Sequence, residues 1–191
     1  MQSVEAWFKN LSKKGYNKYV RMFFIKMAIL ASCWFIFYHI ILKPDRIIDR
    51  PLTNFLTSSV TKVIKIYSDS PEQFSWRETP GRACSDILKN GVKDFGVWDV
   101  CNGIDLMFIY VSILVLLPYS VKRKLIFGVA GIAAIIFANI IRIASLHYIY
   151  NNHKNAFTFS QHYLFTLFMY VLIFYGWYLF TKKDLINDTA N

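Results

Sequence analysis

Three things are missing from this chain, and each removes a class of protein. Its three cysteines, Cys33, Cys84 and Cys101, show no Cys-x-x-Cys or Cys/His ligand spacing, which argues against a zinc site and a multi-disulfide framework. Internal repeats and low-complexity tracts are absent: the abundance of Phe, Tyr, Ile, Lys and Asn is bias without period. Acid is nearly missing at the start, where Glu5 stands alone against Lys9, Lys13, Lys14 and Lys18. No small-residue cleavage site is convincing there either. Lys26 and the apolar stretch around it therefore predict a retained signal anchor rather than a cleaved signal peptide.

What the chain does have is apolar surface. At 191 residues it is one domain's worth, and 55% apolar with 18% aromatic residues is too greasy for a soluble fold of that size. A formal charge of +10 would suit nucleic acid, but the lysines and arginines fall beside apolar runs rather than along one amphipathic face. They read as membrane topology, with no nucleic-acid partner.

The expected fold is an all-α membrane protein of about four transmembrane helices, a single domain over residues 1–191. Met22 to Leu42, at ~1.5 Å per residue, is about 31 Å long and matches a hydrocarbon core of ~30 Å. Further spans are expected at about 101–119, 125–150 and 162–180. Basic residues at the N-terminus, at Lys122-Arg123-Lys124 and at Lys182-Lys183 place both termini and that short loop in the cytoplasm. The only long polar segment, 43–100, is then an extracytoplasmic loop. Within it Phe55, Leu56, Val60, Val63, Ile64 and Tyr67 recur at helical spacing beside Lys62 and Lys65, as in an interfacial helix. Asn90-Gly91 between short mixed runs predicts a small hairpin that caps the Cys101 thiol. Asp99 reads as a solvated loop acid.

Cys101-Asn102-Gly103-Ile104-Asp105 stands where the polar loop ends and an apolar run begins. Leu125 to Arg142 is ~26 Å of helix, which sets Arg142 just inside the same membrane edge. His162 begins the last span there, so a thiol, a guanidinium and an imidazole share one depth. Gly128, Gly131, Ile135, Ala138, Asn139 and Arg142 fall on one stripe, so Arg142 points into the bundle. Cys101, Asp105, Phe108 and Ser112 are expected to share a face of the second span, and His162, Phe165, Thr166, Met169 and Gly176 one of the last. Cysteine, arginine and histidine brought together suggest covalent chemistry on an acyl group, with His147 and His153 as weaker rivals for the base. The plainer readings are an Asp105–Arg142 ion pair, since buried membrane charges pair, and a Cys84–Cys101 disulfide. Together they describe a non-catalytic membrane scaffold or accessory subunit.

The motifs also resemble a known family. Cys-Asn-Gly-Ile at the head of a span, Asn-Ile-Ile-Arg-Ile late in the next and Gln-His before the last resemble the exosortase/archaeosortase family over roughly residues 90 to 180. The resemblance implies a membrane-embedded cysteine protease or transpeptidase of the cytoplasmic (inner) membrane, its active site on the extracytoplasmic side. Cys101, Arg142 and His162 would be catalytic, supported by Gly103, Asp105 and Asn139. Where the family usually reads Cys-Ser-Gly, this chain has Cys-Asn-Gly, and it lacks the extra spans of longer members. On this reading the substrate is a membrane-anchored exported protein with a C-terminal sorting signal, cleaved through a thioester intermediate in the lipid bilayer. No metal or organic cofactor is implied.

Overall fold

The computed structural model describes residues 13–79 and 81–182; Glu5, Lys9 and Lys183, on which part of the expected topology rests, lie outside the described residues. Helix α1 runs Lys13–Phe37 and ends in a π-helical turn, Tyr38–Leu42. Helix α2, Asp49–Tyr67, follows, with Asp49 in its first turn where the helix dipole favours an acid. Strands β1 (Phe74–Glu78), β2 (Cys84–Lys89) and β3 (Val92–Trp98) form one antiparallel sheet in that order. Helix α3 is Ile104–Leu116, α4 is Val121–Asn152, α5 is Lys154–Phe159, and a π-helical turn, Ser160–Leu164, leads into α6, Phe165–Thr181.

Three stretches, Arg21–Leu42, Val121–Asn152 and Lys154–Thr181, are long and apolar enough to cross a membrane, and Ile104–Leu116 is a shorter apolar helix. The chain is thus an α-helical multi-pass membrane protein carrying one small sheet. Helix α3 is shorter than the stretch expected for it. Gly103, with φ 83° in the left-handed region, caps its start, and Pro118 forces Leu117 into an extended conformation at its end. Cys101 consequently lies ahead of the helix instead of on it. The other boundary that moves is at Lys122-Arg123-Lys124, which forms the first turn of α4 rather than a loop.

The expected hairpin is present but is two-thirds of a sheet. Asn90 and Gly91 both have positive φ, 53° and 76°, the geometry of a type I′ turn joining β2 to β3. Strand β1 then pairs with the far side of β2, so Ile87 and Cys84 are fully buried in a central strand.

Among the described residues the apolar interior forms two large clusters and a small one of Tyr38, Leu42 and Ile104. The first packs the stripe Leu56, Val60 and Ile64 of α2 under the sheet residues Phe74, Ile87 and Val97 and against Ile143 and Ala144 of α4. At ~1.5 Å per residue α4 is about 48 Å long, more than a bilayer core needs, and the excess carries these residues. The second core joins α3, α4 and α6 around Tyr110, whose ring lies on Gly131 and Gly176; a methyl group at Gly131 would overlap it. Tyr110 Oη also donates to the Phe127 carbonyl at 3.0 Å, and Trp177 Nε1 to the Tyr110 carbonyl at 3.2 Å. Helix α1 leans on this bundle through Trp34, which stacks on Phe108 of α3 at 4.3 Å. At the end away from the sheet, buried Arg123 donates to the carbonyls of Phe180 and Lys182, closing the last turn of α6 onto the first of α4.

Candidate active site

Cys101 is held by the residues on either side of it. The turn Asp99–Cys101 is one 3-10 turn between β3 and α3. Asp99 accepts two hydrogen bonds from Arg46, at 2.6 and 2.9 Å, and one from Thr53 Oγ1 at 2.8 Å. It is therefore a buried anchor, and the expectation of a solvated loop acid is corrected. Bidentate carboxylate–guanidinium geometry is the strong form of this contact, and the Asp99 bond is the main cause that raises the Arg46 pKa. Arg46 reaches it from a left-handed backbone conformation, φ 51°.

On the other side, Asn102 is almost fully buried. Its Nδ2 donates to Asp49 Oδ1 at 2.7 Å, and its Oδ1 accepts the Ile104 amide at 2.9 Å, satisfying one of the free donors at the start of α3. Tyr38 Oη donates to the same Asp49 carboxylate at 3.0 Å. Both flanks of Cys101 are thus tied to α2 and the segment leading into it. Asn102, where the resembled family usually has serine, is long enough to bridge α2 and α3 at once.

Arg142 approaches from α4. One turn before it, Asn139 donates from Nδ2 to the Cys101 carbonyl at 2.8 Å, and residues three apart share a helix face. Gly103 packs beneath this contact: an added Cβ would lie 3.4 Å from Asn139 Nδ2. Arg142 Nη1 makes only a long 3.4 Å bond to Asn139 Oδ1, and its buried Nε has no hydrogen-bond partner among the described residues. Cys101 and Arg142 line one cavity of about 300 Å³, walled by Val97, Ile143, Leu146 and Phe157. Burial pushes the Cys101 thiol up, and the Arg142 charge pulls it partly back.

The other expected site residues are placed differently. His162 is exposed in the π-helical turn, and its neighbour Gln161 lines the cavity. Asp105 is exposed and lines a separate cavity of about 710 Å³ with Tyr38, Arg46, Asp49 and Asp99. It makes no ion pair with Arg142 among the described residues. The reason is Gly103: its left-handed turn breaks the helical phase between Cys101 and Asp105, so the shared face drawn from a continuous helix does not exist. Cys84 and Cys101 are both free, and Cys84 is buried in the central strand rather than exposed in a polar loop. Both contacts that a scaffold reading needs are therefore absent among the described residues. Among those residues, too, no three His, Cys, Asp or Glu side chains are grouped to hold a metal ion.

Sequence reasoning misses Arg46 and Asp49, and it meets Asn102 only as a motif position, without its anchoring bonds to Asp49 and Ile104. Lys43-Pro44-Asp45 reads as a helix stop, and nothing in it points to a partner 53 positions away.

Comparison with curated proteins and with solved structures gives no match. A model of the transmembrane exosortase family does match, over residues 22–182, a stretch that takes in the Cys101 turn, Asn139, Arg142 and His162. Since that match spans most of the sequence, the chain belongs to the transmembrane exosortase family.

Proposed function

We propose that this protein is a cysteine transpeptidase or protease of the cytoplasmic membrane that removes a C-terminal sorting signal from membrane-tethered exported proteins. Cys101 attacks the scissile carbonyl and forms a thioester on the extracytoplasmic side. The observation that supports this most is the small cavity lined by both Cys101 and Arg142, with the thiol's own carbonyl fixed by Asn139.

The guanidinium suits an anion there. It has donors unspent, and apolar walls keep the local dielectric low, so a fixed cation opposite a developing oxyanion is worth several kcal/mol. Because burial keeps the resting thiol protonated, acylation needs a base and the leaving amine needs an acid. His162 takes that role by its place in the family motif. It sits one residue from Gln161, which lines the cavity, in a π-helical turn, a feature that often occurs at functional sites.

The test compares exported membrane proteins in cells carrying each variant, by mass. Cys101→Ala is expected to leave the sorting signal uncleaved while the protein still inserts and folds. His162→Ala should lose ~10²- to 10⁴-fold in rate, the usual contribution of an acid–base group. Normal processing by Cys101→Ala would remove this reading.

A further inference from the structure

Strand β3 has one neighbour. In the sheet order β1-β2-β3 it is an edge, paired with β2 alone, and among the described residues no other hydrogen bond reaches the main chain of Val92–Trp98. Alternate residues of an edge strand turn their N–H and C=O groups away from the sheet, which makes the edge a template for another chain. A lysine is a common guard of such an edge. Here Lys93 is drawn back over the sheet to Asp86 of β2, with Nζ 2.7 Å from Oδ1, and Gly96 leaves the room for it: an added Cβ there would lie 3.2 Å from the same Nζ.

The cavity of Cys101 and Arg142 runs along that edge. Every residue from Lys93 to Trp98 lines it, whereas a cavity on one face of a strand would be lined chiefly by alternate residues. Across from β3 stand Leu146 and Tyr150 of α4 and Phe157 of α5, so the cavity is a groove between a strand edge and helices. One end is closed where Asp94 Oδ2 lies 2.6 Å from Nε2 of His147, and the other holds Cys101 and Arg142. The break in the β2–β3 ladder falls at the closed end, between Ile87 and Leu88, so Phe95–Trp98 is regular strand. At ~3.3 Å per residue those residues span ~13 Å, the length of a short extended peptide.

We propose that the substrate docks as an added strand on the free edge of β3, its three or four residues before the scissile bond extended beside Phe95–Trp98. The inference rests on the reading of Cys101 as the acylated nucleophile and names how its substrate is held. On that reading the exported part of the substrate lies on the sheet side of Cys101 and its membrane anchor on the helix side, so the residues before the scissile bond are the ones that reach β3. Main-chain hydrogen bonds supply the affinity, and the apolar walls at Leu146 and Phe157 accept side chains turned toward them. The groove thus reads an extended backbone first and a sequence second.

The experiment uses p-nitrophenyl esters with the purified full chain in detergent. In each, a C–S bond to Cys101 forms as the C–O bond to nitrophenolate breaks; nitrophenolate leaves without a proton, so the burst reports acylation free of the His162 step. The reference is p-nitrophenyl hexanoate, which has no amide. Acetyl-Val-Ala-Val-Ala p-nitrophenyl ester is expected to acylate ~10-fold or more faster, and exchanging each of its four amide N–H groups in turn for an ester oxygen should slow it roughly three- to tenfold at alternate positions only. A two-residue period marks strand pairing, and because the protein is unaltered, misfolding cannot imitate it. With photo-leucine in place of the valine nearer the ester, crosslinks are expected within Lys93–Trp98 or at Leu146 or Phe157. Losses that do not alternate, beside a hexanoate burst that needs Cys101, overturn the added strand and leave Cys101 as nucleophile. Crosslinks only outside the groove, as in the separate cavity beside Arg46, overturn it too. A hexanoate burst that is missing from the wild type, or that persists in Cys101→Ala, ends the nucleophile reading and this inference with it.

Discussion

Asn139 of α4 donates a 2.8 Å hydrogen bond from Nδ2 to the backbone carbonyl of Cys101. Through it the helix that carries Arg142 sets the height and orientation of the turn that carries the thiol. Two segments separated by 38 positions in sequence are registered by one amide.

Removing that amide gives the first prediction. Asn139 is fully buried, so Asn139→Ala loses a hydrogen bond and strands a carbonyl, a cost of about 1–3 kcal/mol. Asn139→Asp keeps the shape but turns a carboxylate oxygen toward the Cys101 carbonyl and should be worse than alanine. Melting in detergent and the p-nitrophenyl hexanoate burst are both expected to fall in the order Asp below Ala below wild type. An unchanged burst in Asn139→Asp removes the registering role.

Gly103 supplies the second. At φ 83° an L side chain is strained, and the left-handed conformation costs roughly 1–2 kcal/mol. The added Cβ also meets Asn139 Nδ2 at 3.4 Å, the edge of ordinary contact. Gly103→Ala should lower the melting temperature, and Gly103→Asn less so, because asparagine tolerates this conformation better. If Asn proves the more damaging of the two, space at Asn139 decides this site and backbone strain does not.

How much of this is legible in the sequence depends on whether the signal is local. The Asn90-Gly91 turn and the packed face of α4 through Gly131, Ile135, Ala138 and Asn139 follow from spacing and propensity, and Cys101 and Arg142 do line one cavity, whereas Gly128 of the same stripe has nothing packed on it. What fails are inferences that carry a helix through a residue that ends it: only counting through Gly103 puts Asp105 on the face of Cys101. Strand β1 is hard to read because Phe-Ser-Trp-Arg-Glu, though it alternates, is only five residues long and buries Phe74 alone, so its pairing with β2 rather than a buried face defines it. Likewise the anchoring of Asp99 depends on Arg46, 53 positions away, and no local pattern shows a pair made across a fold.

The Arg46–Asp99 pair gives the third prediction. The side chains of Arg46 and Asp99 are 19% and 11% exposed, so breaking the contact removes the bidentate partner of a mostly buried charge and leaves Arg46 only Glu78 at 3.6 Å and the Arg82 carbonyl at 3.0 Å. Asp99→Asn should destabilise by about 3 kcal/mol. Arg46→Gln should cost a similar amount, since each residue keeps other partners: Thr53 Oγ1 for Asp99, and Glu78 and the Arg82 carbonyl for Arg46. The double variant should be less destabilised than the sum of the two, by the coupling that a double-mutant cycle measures in detergent melts. Strict additivity would show that the contact does not anchor the Cys101 turn.

The last prediction concerns the charge beside the thiol. Burial raises the Cys101 thiol above the ordinary cysteine value, and Arg142 is the charge that opposes this. Only the thiolate reacts with iodoacetamide, so alkylation in the native protein should be slow at neutral pH. It should still be climbing at pH values where a free cysteine has levelled off. Arg142→Gln removes the favourable charge, so the rise should move to yet higher pH. Arg142→Lys keeps the charge and should shift the profile less, while losing the planar fork that holds an oxyanion, so its alkylation and its hexanoate burst should part company. Cys84 serves as the internal reference: fully buried and free, it should label only on unfolding, and labelling without reduction should find both thiols unpaired. A Cys101 profile that Arg142→Gln leaves in place would show that the two residues share a cavity without sharing an electrostatic field, and that the arginine's role in the proposed chemistry is positional.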